Sequence, residues 1–292
     1  MGNMIEEMSA EDRAELLSAV DQALREAVAA EVMPRFRALA AHEVREKSGP
    51  HDLVTVADQE AERRLTASLP GLLPGSVVVG EEAVAADPDV LDALHGSAPV
   101  WVLDPVDGTR QFVAGDPGFA TLLALVQHGE TLASWTYAPA LGLMAVAMRG
   151  RGARLNGEPL LSGSPDPETV LEIATSHPDF YSLEEDRSFA RLIVDGVAPR
   201  PCGSAGLEYL HVAQGELGAV AFGWEYPWDH AAGLLLVDEA GGASGTLTGE
   251  RFRITGGNAL PFTAARDEAT AHRVLSLMSD SDLPRRKAQG GH

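Results

Sequence analysis

A run of four apolar residues, Val100-Trp101-Val102-Leu103, ends in two aspartates, Asp104 and Asp107, with Pro105 between them and Gly108 just after. So short a run of bulky and β-branched residues reads as a buried strand. The same arrangement recurs at Val77-Val78-Val79, which leads into Gly80-Glu81-Glu82. Each run delivers acidic side chains at its carboxyl end. A chain with two such strand ends is constrained to build a framework of helices and strands around acids that face one another.

The surroundings supply the other elements. From Ser9 to about Lys47 the pattern is helical, with Leu16, Leu17, Val20, Leu24 and Val28 at three- and four-residue steps and Ser9 as N-cap. Pro34 lacks a backbone donor and should kink or divide that helix. A second helix is predicted from Asp58, read as its cap, to Leu69, closing before Pro70-Gly71. Residues 119–128, 131–138 and 142–149, with turn residues between them, read as an antiparallel meander. The Ser162–Glu168 stretch is loop chemistry and marks a boundary between an N-terminal α+β half, residues 1–162, and a C-terminal α/β half, residues 163–292. In the second half, helical patterns at 182–195, 204–214 and 228–240 alternate with strand-like runs at 169–176, 218–223 and 261–266. The tail from Asp280 to His292 reads as disordered.

Charge narrows the class of partner. Against 22 Lys and Arg stand 43 Asp and Glu, a formal net charge of −21. A field of that sign repels nucleic acid polymers and anionic membranes. Apolar runs such as Leu234–Val237 fall far below the roughly 20 residues that span a bilayer. The start, Met-Gly-Asn-Met-Ile-Glu-Glu, is acidic where a secretory signal is basic, so the expected location is cytoplasmic. The single cysteine, Cys202, forms no internal disulfide and, between Pro201 and Gly203, reads as a packing residue.

Three acidic clusters carry the chemistry: Gly80-Glu81-Glu82, Asp104-Pro105-Val106-Asp107-Gly108-Thr109 and Trp228-Asp229. Mg²⁺ takes octahedral oxygen coordination at about 2.1 Å, so a few carboxylates with substrate phosphate suffice. Two cations about 4 Å apart would activate a water and neutralise a leaving oxygen in an in-line displacement at phosphorus. Other metal and phosphate motifs do not match. An EF-hand needs alternating acids that Asp104–Gly108 lacks. An aspartyl-phosphate phosphatase of the haloacid dehalogenase type spaces its two aspartates by two, and here the spacing is three. Gly241–Gly245 lacks a P-loop lysine and reads as a helix stop.

Asp52-Leu-Val-Thr55-Val-Ala-Asp58, Gly80-Glu81-Glu82, Trp101–Thr109, Arg149-Gly-Arg-Gly152 and Trp228-Asp229-His-Ala-Ala-Gly233 followed by Glu239-Ala-Gly-Gly242 occur in the order and approximate spacing of one family. In these motifs the chain resembles the inositol monophosphatases, Mg²⁺-dependent, lithium-sensitive phosphatases related to fructose-1,6-bisphosphatase. The resemblance implies a layered αβαβα sandwich and two to three Mg²⁺ per site. It implies that Glu81, Asp104 and the carbonyl of Val106 hold one metal, while Asp104, Asp107 and Asp229 hold another. Asp58 and Thr109, with Glu81, would polarise the attacking water. Asp107, Gly108, Thr109 and Asp229, with the Gly203-Ser204-Ala205 turn, would meet the substrate. It also implies a homodimer. Lys47 sits one residue out of register with a family lysine and is left outside the set. Glu82 reads as structural, Trp101 and Trp228 as packing, and His230 would point about 100° away from Asp229 on a helix.

Two departures bear on substrate. Seven residues before Asp229, where inositol-specific members carry a glutamate, stands Phe222, and Glu225 follows three residues later. After Thr109 the chain continues Arg110-Gln111-Phe112, a basic residue shared with relatives acting on histidinol phosphate or 3′-phosphoadenosine 5′-phosphate. The expected function is hydrolysis of a small, inositol monophosphate-like phosphate monoester by metal-activated water, with those two substrates as alternatives. The rival from outside enzymology is a catalytically silent phospholigand-binding protein.

Overall fold

The computed structural model describes residues 4–49, 52–163, 170–180 and 183–279; the 280–292 tail and most of the 162–168 boundary loop lie outside them. After a short α1 (Met4–Glu7), Ser9 Oγ accepts the Asp12 amide at 3.1 Å and opens α2 (Ala10–Ala27), whose Leu16, Val20, Leu24 and Ala27 are buried. The helical periodicity does not persist to Lys47. A π-helical turn over Val28–Val32 and turns around Pro34 end it, and Lys47 lies on β1 (Val44–Gly49), antiparallel to β2 (Asp52–Thr55). Helix α3 (Val56–Leu72) also begins differently from expectation. Thr55 is its cap, and Asp58 is the third residue of a capping box, accepting from Thr55 N at 2.9 Å and from the Thr55 hydroxyl. Pro70 falls within its last turn, so its missing N–H interrupts the ladder only a few residues before the helix ends.

The larger sheet takes β3 (Val77–Gly80), β4 (Val100–Asp107), β5 (Ala120–Gln127), β6 (Glu130–Ala138), β7 (Leu143–Met148), β8 (Gly152–Leu155) and β9 (Glu158–Leu160) in sequence order. Strands β3 and β4 are parallel and the others antiparallel, so the predicted meander is present and extends by two strands. Between these strands lie α4 (Glu81–Ala86) and α5 (Thr109–Ala114). The smaller half contains β10 (Leu171–Thr175), α6 (Leu183–Ala190), β11 (Val197–Pro201), α7 (Ala205–Ala213), β12 (Ala219–Phe222), α8 (Pro227–Glu239), β13 (Ala243–Thr246), β14 (Phe262–Ala265) and α9 (Glu268–Met278). Its sheet runs β11-β10-β12-β14-β13. The 182–195 pattern yields helix only to Ala190, and Gly241, at φ 95°, stops α8 ahead of β13.

Strand alternation sorts the side chains into layers. On one face of β4, Trp101 and Leu103 pack with Leu24, Leu65 and Leu69 of α2 and α3. On the other, Val100 and Val102 join Tyr209 and Leu210 of α7, Leu235 of α8, and Val220, Phe222 and Phe262 of the second sheet. Beyond that sheet, Phe189, Leu192, Val274 and Met278 cover Ile173, Ala219 and Ala221. The order is therefore α2/α3, first sheet, α7/α8, second sheet, α6/α9: five alternating layers, with α7 and α8 shared by both sheets. Trp101 is fully buried and donates its indole N–H to Ser76 Oγ at 2.9 Å, a packing role.

Candidate metal-dependent active site

The site forms where β4 ends against the first turns of α7 and α8. In a regular strand, residues three apart face opposite sides. Here Asp104 pairs with Leu122 and Asp107 with Ala120, so three steps on β4 oppose two on β5. The resulting bulge carries Pro105, which has no N–H to lose from the ladder, and turns both carboxylates to one side. Val106 N donates to Asp104 Oδ1 at 3.0 Å, and Thr121 Oγ1 donates to Pro105 O at 2.8 Å, fixing the bulge. Gly108 follows at φ 84°; a Cβ there would stand 2.9 Å from Ser204 Cβ and 3.1 Å from Gly118 O.

Asp229 arrives on the first turn of α8, and one carboxylate oxygen from each of Asp104, Asp107 and Asp229 lies within 4.8 Å of the other two. Asp107 is held by α7: Ser204 Oγ donates to Oδ2 at 2.5 Å, and the amides of Ala205 and Gly206 donate at 3.1 and 2.7 Å. Asp229 is held by Trp224, whose indole N–H donates to Oδ2 at 2.5 Å. Glu81 lies at the head of α4, where Lys47 Nζ reaches it at 2.6 Å and Glu82 at 2.5 Å. Beneath that turn the buried Glu62 carboxylate accepts the amides of Glu82 at 2.9 Å and Ala83 at 2.7 Å. Thr109 Oγ1 donates to Val106 O at 3.0 Å and lies 3.4 Å from Asp58 Oδ1.

Electrostatics set these groups apart from ordinary surface acids. Burial, reinforced by the neighbouring carboxylates, raises the carboxyls of Asp104 and Asp229 well above the usual range. Asp107 is pushed up to about 6 by burial, against the opposing pull of Ser204 and the α7 amides. Asp58 rises to about 7 by burial, offset in part by the Thr55 hydroxyl. Lys47 would be lowered by burial, but Glu81 and Glu82 beside it raise it instead. His230 is fully buried, bridging Tyr209 Oη and Trp224 O at 3.0 Å each, and burial lowers it to about 3. It is a neutral packing residue beside the site, as its helical offset predicts.

A cleft of about 670 Å³ opens above the acids. Lys47, Glu81, Asp104, Val106, Asp107, Gly108, Thr109, Gly203, Ala205 and Asp229 line it, so it gathers most residues named from sequence. Ser204 is buried behind the lining and acts on Asp107, and Asp58 is buried behind Thr109. Cys202 lines the cleft, but burial pushes its thiol well up, away from nucleophilic use. Phe222 is fully buried among Tyr209, Trp224 and Phe262, and Glu225 is taken by Asn258, whose backbone and side-chain nitrogens both donate at 2.9 Å. Neither reaches the cleft lining. Motif spacing did not single out Trp224, which holds Asp229, Glu62, which holds the turn at Glu82, or Tyr226, which lines the cleft.

The donor chemistry fits a hard divalent cation. The converging ligand atoms are all carboxylate oxygens, two of the three aspartates are buried, and burial, with repulsion from neighbouring acids, raises their carboxyls, a cost that a bound cation would offset. Five alternating layers with such a cluster beneath a cleft define a layered α/β enzyme with a carboxylate metal centre.

A model of the inositol monophosphatase family matches residues 12–280. Inositol-1-monophosphatase of Bacillus subtilis is 35% identical over 211 residues, covering 70% of this chain and 77% of its own. The Nus factor SuhB of Pseudomonas aeruginosa is 34% identical over 240 residues, covering 77% and 86%. Among solved structures, the Thermotoga maritima inositol monophosphatase superposes with TM-score 0.73 at 28% identity, over 90% of this chain and 96% of that one. The chain belongs to the inositol monophosphatase family and is a phosphoric monoester hydrolase of the metal-binding kind. Its substrates are small phosphorylated metabolites, and among the described residues no helix is long and apolar enough to cross a membrane.

Proposed function

We propose that the protein is a Mg²⁺-dependent phosphatase in which water displaces the alcohol of a small phosphate monoester directly, with no phosphoenzyme. The convergence of Asp104, Asp107 and Asp229 within 4.8 Å carries this reading. Two to three Mg²⁺ would be held by Glu81, Asp104, Asp107, Asp229 and the carbonyl of Val106. When bound, they would neutralise phosphoryl charge and make a nearby water more acidic. Residues 1–162 contribute most of these ligands and 163–292 contribute Asp229 and the specificity wall.

The chain's own part is positioning and proton transfer. Thr109 has two acceptors in reach, Val106 O and Asp58 Oδ1. Its oxygen accepts a proton from the attacking water while its own hydroxyl proton passes to Asp58 Oδ1, and Glu81 orients that water. General-base help of this type is worth about 10²–10⁴-fold. Lys47 ties the side chains of Glu81 and Glu82 to one ammonium and so fixes the head of α4. The amides of Gly108 and Thr109, with Gly203 and Ala205 of the turn before α7, face the substrate, whereas Ser204, expected there from sequence, is buried behind the lining and acts through Asp107.

The test is phosphate release, with and without Mg²⁺, from inositol 1-phosphate, histidinol phosphate, fructose 1,6-bisphosphate and 3′-phosphoadenosine 5′-phosphate. Binding of one of these without release in Mg²⁺ would replace the enzyme reading by the silent-binder reading. A cytoplasmic location and a homodimer follow from the same family reading; fractionation and sedimentation test them. The polyol reading needs an acceptor for ring hydroxyls, and with Phe222 buried and Glu225 engaged by Asn258, neither supplies one.

A further inference from the structure

The upper cleft has a chemistry of its own, distinct from the acidic floor. Its lining takes Trp224, Tyr226 and Trp228 from the start of α8 and the loop before it, and Val84, Pro88 and Leu91 from α4 and the turn after it. The aromatic side is rigid. Tyr226 stacks on Trp228 with ring centroids 5.0 Å apart and planes 6° from parallel, and Trp228 is itself only 8% exposed. Trp224 is fixed by its indole bond to Asp229 and by Phe222, 4.4 Å behind it. Yet Tyr226 leaves 56% of its surface exposed, one of the larger apolar exposures in the described chain, and it does so at the mouth of the site. A ring backed by a second ring, in a cleft that also carries apolar side chains, is a stacking platform, since it loses little freedom on binding.

Resting on the phosphatase reading, we infer that the alcohol half of the substrate carries a planar aromatic or heteroaromatic ring, seated against Tyr226 and Trp224 and covered by Val84, Pro88 and Leu91. The phosphate lies on the acids below. Polar groups stand on the remaining rim: Arg110, paired with Asp179 at 3.3 Å, and His177, whose Nδ1 lies 3.1 Å from the same carboxylate. They suit a ring with heteroatoms at its edge. Aromatic contacts of this kind discriminate by about 2- to 10-fold beyond area burial, and the loss of apolar contact adds to that for a polyol.

The test compares 2-phenylethyl phosphate, 2-cyclohexylethyl phosphate and inositol 1-phosphate with Mg²⁺, all esters of unactivated alcohols, so leaving-group chemistry does not decide the order. The expected kcat/KM for the phenyl ester exceeds the cyclohexyl ester about fivefold and the inositol ester at least about tenfold. Tyr226→Ala brings the phenyl-to-cyclohexyl ratio toward one, and Tyr226→Phe preserves it. If inositol 1-phosphate is turned over as well as the phenyl ester, or the two hydrophobic esters are equal, the ring inference is overturned and the phosphatase reading stands. If no ester is hydrolysed, the phosphatase reading fails. Tryptophan fluorescence titration with 3-phenylpropylphosphonate and 3-cyclohexylpropylphosphonate then decides the ring subsite: preference for the phenyl compound supports it, and equal affinity overturns it.

Discussion

Asp107, at the end of β4, and Ser204, the N-cap of α7, share a 2.5 Å hydrogen bond where the larger sheet meets that helix. The same serine oxygen accepts Leu207 N at 3.3 Å, so one side chain both caps a helix and aims an acid. Ser204→Ala removes the cap and one of three donors to Asp107. The expected loss is about 1–2 kcal/mol of stability, read as a lower urea midpoint. A higher Mg²⁺ requirement for phosphate release should accompany it; an unchanged requirement would show that Asp107 is aimed by the α7 amides alone.

Asp104 is buried among like charges. Asp104→Asn should abolish Mg²⁺-dependent phosphate release while raising the melting temperature of the EDTA-treated protein at pH 8, because a repulsive charge is gone. Activity within tenfold of the parent would remove Asp104 from the site.

Burial of these acids, with repulsion added, gives a pH dependence. In the folded chain Asp58 stands at about 7, Asp107 at about 6, and Asp104 and Asp229 also above their usual range. Unfolded aspartates titrate near about 3.9. The folded state therefore holds these protons more tightly, and their stabilising effect is complete below about pH 4 and lost as pH rises through about 6–7. Metal-free protein should melt roughly 5 °C or more lower at pH 8 than at pH 5.5, and Mg²⁺ at pH 8 should restore it. Scanning calorimetry in EDTA checks this; a melting temperature that climbs with pH would contradict it.

Glu62 packs beneath the turn that presents Glu81. A Cβ on Gly80 would fall 2.3 Å from Glu62 Cδ, which explains a glycine there. Glu62→Ala leaves the amides of Glu82 and Ala83 without their acceptor, at about 1–3 kcal/mol each. Gly80→Ala should displace the same carboxylate. Both variants should lower the melting temperature and raise the Mg²⁺ concentration for half-maximal activity, with Glu62→Gln intermediate.

What could be read from residue order depended on range. Strand β4 with its terminal acids, the meander and α8 behind Trp228 were legible because period and capping act over a few residues. Lys47 was misplaced because Val28 and its predecessors keep helical spacing while Pro34 and the π-turn break the helix locally. Asp58 passed for a cap because its capping-box partner, Thr55, is an equally good one. The Ser204–Asp107 bond joins positions 97 apart and Glu62 reaches the Glu82 amide across 20, so neither leaves a periodic trace. The aromatic wall was hidden for another reason: Trp224 and Tyr226 flank Glu225, and only the fold shows that Asn258 draws the glutamate away.

Asp104 and Asp229 sit 125 positions apart in the chain, on β4 and α8. A cation that binds both acts as a removable crosslink, tightening the closed form by mass action, about 2.7 kcal/mol at a hundredfold excess over its dissociation constant. Such an ion would therefore slow local opening where β4 meets α8, and added metal should slow the exchange of buried amides on α8 with solvent.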